Sequence, residues 1–159
     1  HLIPEEEISM LYSSFQSHLW NELLRRLIRQ KVNELEEIRG SEGSYLFWRR
    51  LDNDSLYYLK NLEIPTSSAK MDFPDDSMRS LHQEILKEKN LKLGSFRTEV
   101  LTKVYFKSFM RKAAIIPDEI QIIDKANDEL HEGKKKMTLS FFLPRGSYGT
   151  MLMKRLSLT

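Results

Sequence analysis

A long N-terminal segment with helical spacing of its apolar residues constrains this fold more than any other feature of the sequence. Apolar side chains recur every three or four positions, at Ile8, Leu11, Phe15, Leu19, Leu23 and Leu27. A second row widens this apolar stripe, at Tyr12, Trp20, Leu24 and Ile28. The pattern predicts a helix with a broad apolar face, so the rest of the chain must cover much of its circumference.

The composition sets the broad class of protein. The chain has 159 residues, of which 40% are hydrophobic and 30% are charged, and this balance is typical of a folded globular protein. The absence of cysteine excludes disulfides, thiolate zinc sites and a cysteine nucleophile. No apolar run approaches the length of a membrane span, about 20 residues. We therefore expect a cytoplasmic protein with no membrane partner, and its net charge of +2 is compatible with a nucleic-acid partner.

Shorter elements are expected after the first helix. Residues 33–43 are polar and end in Gly40-Ser41-Glu42-Gly43, which indicates a loop. The aromatic runs 45–48 and 56–59 are separated by Asp52-Asn53-Asp54, and this pattern predicts a β-hairpin. Residues 91–108 fit either a short helix or a strand, and the sequence leaves that choice open.

The second half of the chain predicts a mixture of helix and strand. The expected elements are a helix capped by Asp75 or Asp76 and ending near Lys89, strands at 113–116, 120–123 and 137–143, and a final helix containing Met151, Leu152 and Leu156. The order helix, hairpin, helix, strands, helix predicts an α+β fold and not alternating βα units.

The histidines and the lysine run give little indication of a metal site. His1, His18, His82 and His131 share no spacing that is typical of metal ligands, so no metal is predicted. We expect these histidines to be solvated or to lie on helix surfaces. Residues 134–136 are three consecutive lysines, interpreted as a solvated loop with a phosphate contact as the alternative.

A glycine turn near the C-terminus has the features of an anion-binding corner. Arg145, Gly146 and Ser147 lie between a predicted strand and the start of the final helix. Backbone N–H groups and the helix dipole attract anions at a helix start, and an arginine adds a forked donor. A plain strand-to-helix turn is an equally good interpretation of the same residues.

Polar residues also interrupt the first helix. Gln16 falls on the apolar side of that helix, near Tyr12 and Trp20, and Asn21 lies beside the stripe. A buried amide must find hydrogen-bond partners. Backbone groups are the favoured partners, and a base edge or a catalytic residue is the alternative.

Three segments resemble one known family. Residues 12–21, Y-S-S-F-Q-S-H-L-W-N, resemble the Y-Q-S-x-x-W/F-N helix of the TruD/Pus7 family of tRNA pseudouridine synthases. Residues 139–152, L-S-F-F-L-P-R-G-S-Y-G-T-M-L, are similar to the family's L-x-F-x-L-P-x-G-S-Y-A-T-x-L-L-R-E run. Between them, residues 111–113 resemble its R-R-x-L/I segment, with lysine in the second position.

The resemblance implies an architecture and an activity. Family members isomerise uridine to pseudouridine in RNA without a cofactor or metal, so RNA, and tRNA in particular, is the expected partner. The implied fold is a mostly antiparallel sheet with helices, interrupted by a small α+β insertion. On that template, residues 1–32 are a catalytic-domain helix, residues 33–108 are the insertion, and residues 109–159 are the C-terminal part of the catalytic domain.

The family's catalytic aspartate has no counterpart in this sequence. It lies in a G-x-K-D motif, and no aspartate here follows Gly-x-Lys. In the family this motif precedes the Y-Q-S helix, so the resemblance implies a catalytic aspartate upstream of residue 1. The chain alone is accordingly predicted to be inactive, and its exposed apolar surface is expected to promote association.

On that template we predict roles for particular residues. The active-site wall is expected to include Gln16, Asn21 and Tyr148. The RNA contacts are expected from Arg145, Gly146, Ser147, Arg111 and Lys112. A salt-bridge role on a strand surface is an equally good interpretation of Arg111 and Lys112. The alternative hypothesis is a non-catalytic RNA-binding or protein-interaction module on the same scaffold, and the sequence upstream of residue 1 would distinguish the two.

Overall fold

The computed structural model describes residues 3–40, 43–97 and 105–158. The chain forms two compact units, the first reaching Ala113 and the second beginning at Ala114. Helices and small antiparallel sheets alternate along it, which confirms the predicted α+β class. In the described ranges, no helix is both long enough and apolar enough to cross a membrane.

The predicted first helix is present as α1, Glu5–Lys31. Three glutamates occupy its first turn and two basic residues its last turn, and both groups oppose the charge of the helix dipole. Its buried residues are Gln16, Leu19, Trp20, Leu23, Leu27 and Ile28. Leu11 remains exposed, so the helix is covered mainly over its second half.

The expected loop over residues 33–43 is wrong, because most of this segment belongs to a hairpin. Strand β1, Leu35–Gly40, pairs antiparallel with β2, Gly43–Trp48. The polar residues that suggested a loop include Glu36 and Glu37, whose carboxylates pair with the exposed arginines Arg49 and Arg29. On β2, Phe47 is buried and attaches the hairpin to the core.

The predicted hairpin between residues 45–48 and 56–59 is also wrong. Residues 56–59 lie in a helix, α2, Asn53–Asn61. Asp52 starts this helix as its N-cap, because its side chain accepts a hydrogen bond from the Ser55 amide at 2.7 Å. Ser55 and Leu59, one helical turn apart, are its buried residues.

The middle of the chain adds a short sheet and a third helix. Strand β3, Glu63–Pro65, pairs antiparallel with β4, Met110–Lys112. Helix α3, Asp76–Glu88, confirms the predicted second helix, and Asp75 is its cap, accepting from the Met78 amide at 2.8 Å. Its buried face packs against α1.

The choice between a helix and a strand over residues 91–108 is settled for the described part of this segment. Leu93–Phe96 form one 3-10 turn, and residues 105–109 have no regular secondary structure. Residues 98–104 lie outside the described residues.

The second unit contains one hairpin and one helix. Strand β5, Asp118–Asn127, pairs antiparallel with β6, Lys135–Phe142, and α4 covers Gly149–Leu156. These elements confirm the strands predicted at 120–123 and 137–143 and the final helix. The strand expected at 113–116 is wrong. Strand β4 ends at Lys112, where it pairs with Glu63, and residues 113–116 have no regular secondary structure.

The buried core belongs to the first unit. The buried apolar side chains include Leu19, Leu23, Leu59, Ile64 and Ile85. From residue 114 to residue 158, no described residue is buried. The division at residues 32/33 and 108/109 expected from the resemblance stays a prediction.

Candidate functional site

Gln16 joins helix α1 to two other segments of the first unit. It is only 7% exposed, and its Nε2 donates to the Ser67 carbonyl at 2.7 Å and to the Lys107 carbonyl at 3.0 Å. Of the two kinds of partner considered for this amide, the backbone is the one the structure contains. Gln16 therefore holds residues 67 and 107 at a fixed distance from the helix.

The segment that Gln16 contacts is polar and yet fully buried. Thr66, Ser67 and Ser68 are each at most 3% exposed. Thr66 Oγ1 donates to the Lys107 carbonyl at 3.1 Å and accepts from the Phe109 amide at 3.1 Å. Ser108 Oγ donates to the Thr66 carbonyl at 2.9 Å. These bonds lock residues 66–68 against residues 107–109 and satisfy groups that burial would otherwise leave without water.

His82 extends this polar core toward α3. The expectation that it lies on a helix surface is wrong: it is 1% exposed, with Nε2 hydrogen-bonded to Ser67 Oγ at 2.7 Å. Nδ1 is buried with no partner among the described residues, and the Phe73 ring lies 5.2 Å away. Burial lowers the pKa of His82 to about 4, so the imidazole is neutral at pH 7.

Arg111 and Lys112 lie on the short sheet of the first unit. The Arg111 guanidinium lies 4.5 Å from the centre of the Trp20 ring, a cation–π contact, and Trp20 Nε1 donates to the Ile64 carbonyl at 3.0 Å. No carboxylate in the described part of the chain forms an ion pair with Arg111. Lys112 and Asn21 are exposed. Of the predicted site residues, the structure thus brings Gln16 and Arg111 to the same stretch of α1.

An open cleft of about 470 Å³ lies beside the locked segments, and sequence reasoning missed it. Three basic and three aromatic residues line it, namely Lys70, Arg97, Lys107, Phe96, Tyr105 and Phe106. We call it the aromatic–basic cleft. The run Tyr105-Phe106-Lys107 carries the signal in the sequence, but its alignment with Lys70 depends on hydrogen bonds between segments some 40 residues apart.

The predicted anion corner lies in the second unit. Gly146 has φ 88°, the left-handed conformation that favours glycine, and the Ser147 amide donates to the Pro144 carbonyl at 3.1 Å. The Ser147 N–H is therefore used within the turn. Arg145 is exposed, and Tyr148, 61% exposed, precedes α4 without a side-chain hydrogen bond to the helix start.

The arrangement offers no site for a metal ion within the described ranges, because no three His, Asp or Glu side chains come together there. His131 pairs instead with Asp128, and Lys136 with Glu129, at the β5–β6 turn. The ion pair of Lys136 and its place in β6 favour a structural role for this part of the lysine run.

Comparisons with known proteins point to one family. The family model described as tRNA pseudouridine synthase D (TruD) matches residues 60–156. A tRNA pseudouridine synthase D from Leptospira interrogans is 34% identical over 157 residues, which is 98% of this chain and 38% of the relative. A tRNA pseudouridine synthase D homologue from Methanocaldococcus jannaschii is 31% identical over 147 residues, covering 90% of this chain and 34% of the relative.

The fold is also similar to a solved structure. A crystal structure of a TruD protein from Methanosarcina mazei superposes with a TM-score of 0.66 over 99% of this chain at 22% identity. That match covers 39% of the solved chain. The present chain therefore spans little more than a third of the length of the proteins it matches.

Proposed function

Because the chain belongs to the TruD family of tRNA pseudouridine synthases, we propose that it is an RNA-contacting portion of an enzyme that isomerises uridine to pseudouridine in tRNA. The observation that carries this proposal is the family match over residues 60–156, which includes the turn and helix of the L-P-R-G-S-Y run. The proposed partner is tRNA, and no cofactor or metal is required.

The proposed chemistry divides the reaction between this chain and the rest of the enzyme. The glycosidic bond between N1 and C1′ breaks, the uracil rotates, and C5 forms the new bond to C1′. A nucleophilic or assisting aspartate in a G-x-K-D motif belongs to this reaction in the family, and this sequence holds no such motif. We place the aspartate outside the chain, which is then inactive alone and contributes binding of the flipped-out nucleotide and its flanks.

We assign the RNA backbone contact of the second unit to the corner before α4. Arg145 is exposed there, and the first-turn N–H groups of a helix have no acceptor within the helix. The Ser147 amide donates to the Pro144 carbonyl within the turn. We therefore assign the shape of the turn to Gly146 and Ser147, and the positive charge to Arg145. Tyr148, beside Arg145, is the exposed ring we assign to the active-site wall.

In the first unit we assign supporting roles. We assign Gln16 to the active-site wall because it positions the Ser67 and Lys107 backbone. Asn21, on the same helix, is assigned to the wall as well. Arg111, held on the Trp20 ring, and the exposed Lys112 are assigned to backbone phosphates. Residues 1–32 and 109–159 form catalytic-domain parts on this proposal, and residues 33–108 form the insertion.

The activity is tested by tritium release from tRNA that carries uridine labelled at C5. We expect no release by the chain alone, and release by the protein read from the parent gene if it carries G-x-K-D upstream. Turnover by the chain alone would show that the reacting carboxylate is in this sequence. A parent gene without the motif, with RNA binding intact, would favour the non-catalytic module.

The anion corner is tested by Arg145→Gln, with binding to tRNA measured over a series of salt concentrations. Losing one phosphate contact lowers the slope of log affinity against log salt by about 0.7–0.9. Lys125→Gln removes the same charge from an exposed position on β5 and is the matched control. Equal slopes for the two variants would refute the corner.

A further inference from the structure

We propose that the aromatic–basic cleft of the first unit binds one unpaired nucleotide of a single-stranded RNA segment. The base stacks on Tyr105, and the flanking phosphates lie along Lys70, Arg97 and Lys107. This site is built from other elements than the corner at Arg145. It takes from the proposed function only that the polyanion is RNA.

The aromatic part of the cleft has both a held ring and a free ring. Phe106 stacks on Tyr12 of α1, with ring centres 4.2 Å apart and planes within 7°, and it meets Phe96 edge-on at 5.1 Å. Tyr105 contributes its ring at the rim and is 65% exposed. An exposed tyrosine next to an ordered aromatic floor is the arrangement on which unpaired bases stack.

The charge of the cleft selects a polyanion. Lys70, Arg97 and Lys107 line it, and the other described lining residues include no carboxylate. In the described part of the chain, none of these three side chains forms an ion pair. The positive charge is therefore available to phosphates that flank a stacked base.

The walls of the cleft are held before any ligand arrives. Gln16 donates to the Ser67 and Lys107 carbonyls, and Thr66 Oγ1 donates to the same Lys107 carbonyl. Tyr12 lies one helical turn before Gln16 on α1 and supports Phe106 from behind. Rigid walls reduce the ordering that binding requires.

The geometry favours a single strand over a duplex. A base reaches the Tyr105 ring only with its face uncovered, which a stacked base pair does not allow. An acidic peptide would use the three cations and would leave the exposed ring without a partner, so it is the competing occupant in the test.

The test uses the chain with a labelled single-stranded oligouridylate, and fluorescence anisotropy as the readout. Tyr105→Ala is expected to weaken binding by at least about fivefold, since stacking of one base is lost, and Tyr105→Phe is expected to retain it. Tyr57→Ala is the matched control, because Tyr57 is 73% exposed on α2 of the same unit. Lys107→Gln should lower the salt slope, whereas Lys87→Gln, on the exposed face of α3, should not.

The outcomes separate this site from the proposed function. Equal RNA affinities for Tyr105→Ala and Tyr57→Ala would overturn the cleft as a base site. A loss of RNA affinity with Arg145→Gln in the same assay would still support the proposed function. If Tyr105→Ala weakens binding to duplex RNA as much as binding to single-stranded RNA, the stacking assignment is overturned. If an acidic peptide competes fully with the oligouridylate and Tyr105→Ala is silent, the cleft is a peptide site. If the wild-type chain binds no RNA at low salt, both proposals fail.

Discussion

The first unit has a buried apolar core, whereas the described residues of the second include no buried side chain. In the first, Leu19, Leu23 and Ile64 have no exposed surface, and three polar residues of a loop are buried with them. In the second, Ile122 and Ile123 on β5 are each more than half exposed. The elements of the first unit are therefore fixed by packing, and those of the second mainly by the β5–β6 ladder and the turn before α4.

Because of this difference, residues of the candidate site are positioned in two ways. Gln16 and Arg111 are positioned by a buried helix, so a change in the core should disturb them. Arg145 is positioned by a left-handed glycine turn, which depends on local backbone geometry. Variants in the two units should consequently differ in whether stability or RNA affinity is lost.

The largest expected effect comes from truncating the core of the first unit. Leu19→Ala removes a side chain that is fully buried on α1, and such changes cost about 2–5 kcal/mol of unfolding free energy. Urea denaturation followed by tryptophan fluorescence measures it. Ile123→Ala, 61% exposed on β5, should change the same quantity by about 0.5 kcal/mol or less. Equal losses would show that the second unit shares the core.

A second test uses acid to charge the buried imidazole of the first unit. Burial places the pKa of His82 at about 4, against about 6.5 in the unfolded chain. The unfolded chain therefore takes up the proton first, so stability is complete above pH 6.5 and falls as the pH drops toward 4. The loss approaches about 3 kcal/mol at the acid limit.

The contribution of His82 is isolated by difference. Denaturation midpoints across this pH range should fall less for His82→Gln than for the wild type. His131→Gln, which removes an exposed histidine of the second unit, should retain the full decline. A wild-type curve that parallels His82→Gln would mean that the imidazole stays accessible to protons.

The sequence was enough to predict α1, α3, α4 and the two strands of the second unit, but not to place β1 and α2. The α1 stripe and the Asp75 cap act locally, so they can be interpreted without tertiary contacts. Residues 56–59 have the composition of a strand, but they form a helix that Asp52 caps at its start. Strand β1 shows no strict apolar alternation, because two adjacent glutamates, Glu36 and Glu37, interrupt it and form ion pairs.

The site was predicted in part for the same reason. Gln16 fell on the apolar face of α1 by spacing alone, and it is buried. The same spacing places His82 between Met78 and Ile85 on the buried face of α3, so helical periodicity alone indicates that His82 is buried. The burial of residues 66–68 could not be predicted, because their partners lie about 40 residues away.

An intermediate effect is expected from removing the buried amide that joins α1 to the cleft walls. Gln16→Leu keeps the side-chain size and removes both donations, which leaves the Ser67 carbonyl buried without this donor. The expected cost is about 1–3 kcal/mol. Lys107 keeps the bond from Thr66, so most of the loss arises at Ser67.

The matched control for this variant is Gln30→Leu, at an exposed position of the same helix. Chemical denaturation should leave its stability within about 0.5 kcal/mol of the wild type. If both glutamine variants are neutral, the Gln16 amide is not needed to hold the walls together, and the rigidity argued for the cleft loses its basis.

The smallest effects compare the starts of two helices. Asp75→Ala removes the side-chain cap of α3 and should cost about 1 kcal/mol. Tyr148 makes no such bond at the start of α4, so Tyr148→Ala should change unfolding free energy by about 0.5 kcal/mol or less. Thermal unfolding of both variants, with tRNA binding measured alongside, distinguishes the units. Because Tyr148 is assigned to the active-site wall and not to the fold, its loss should appear in RNA contact; a stability loss as large as that of Asp75→Ala would instead make it a structural residue of α4.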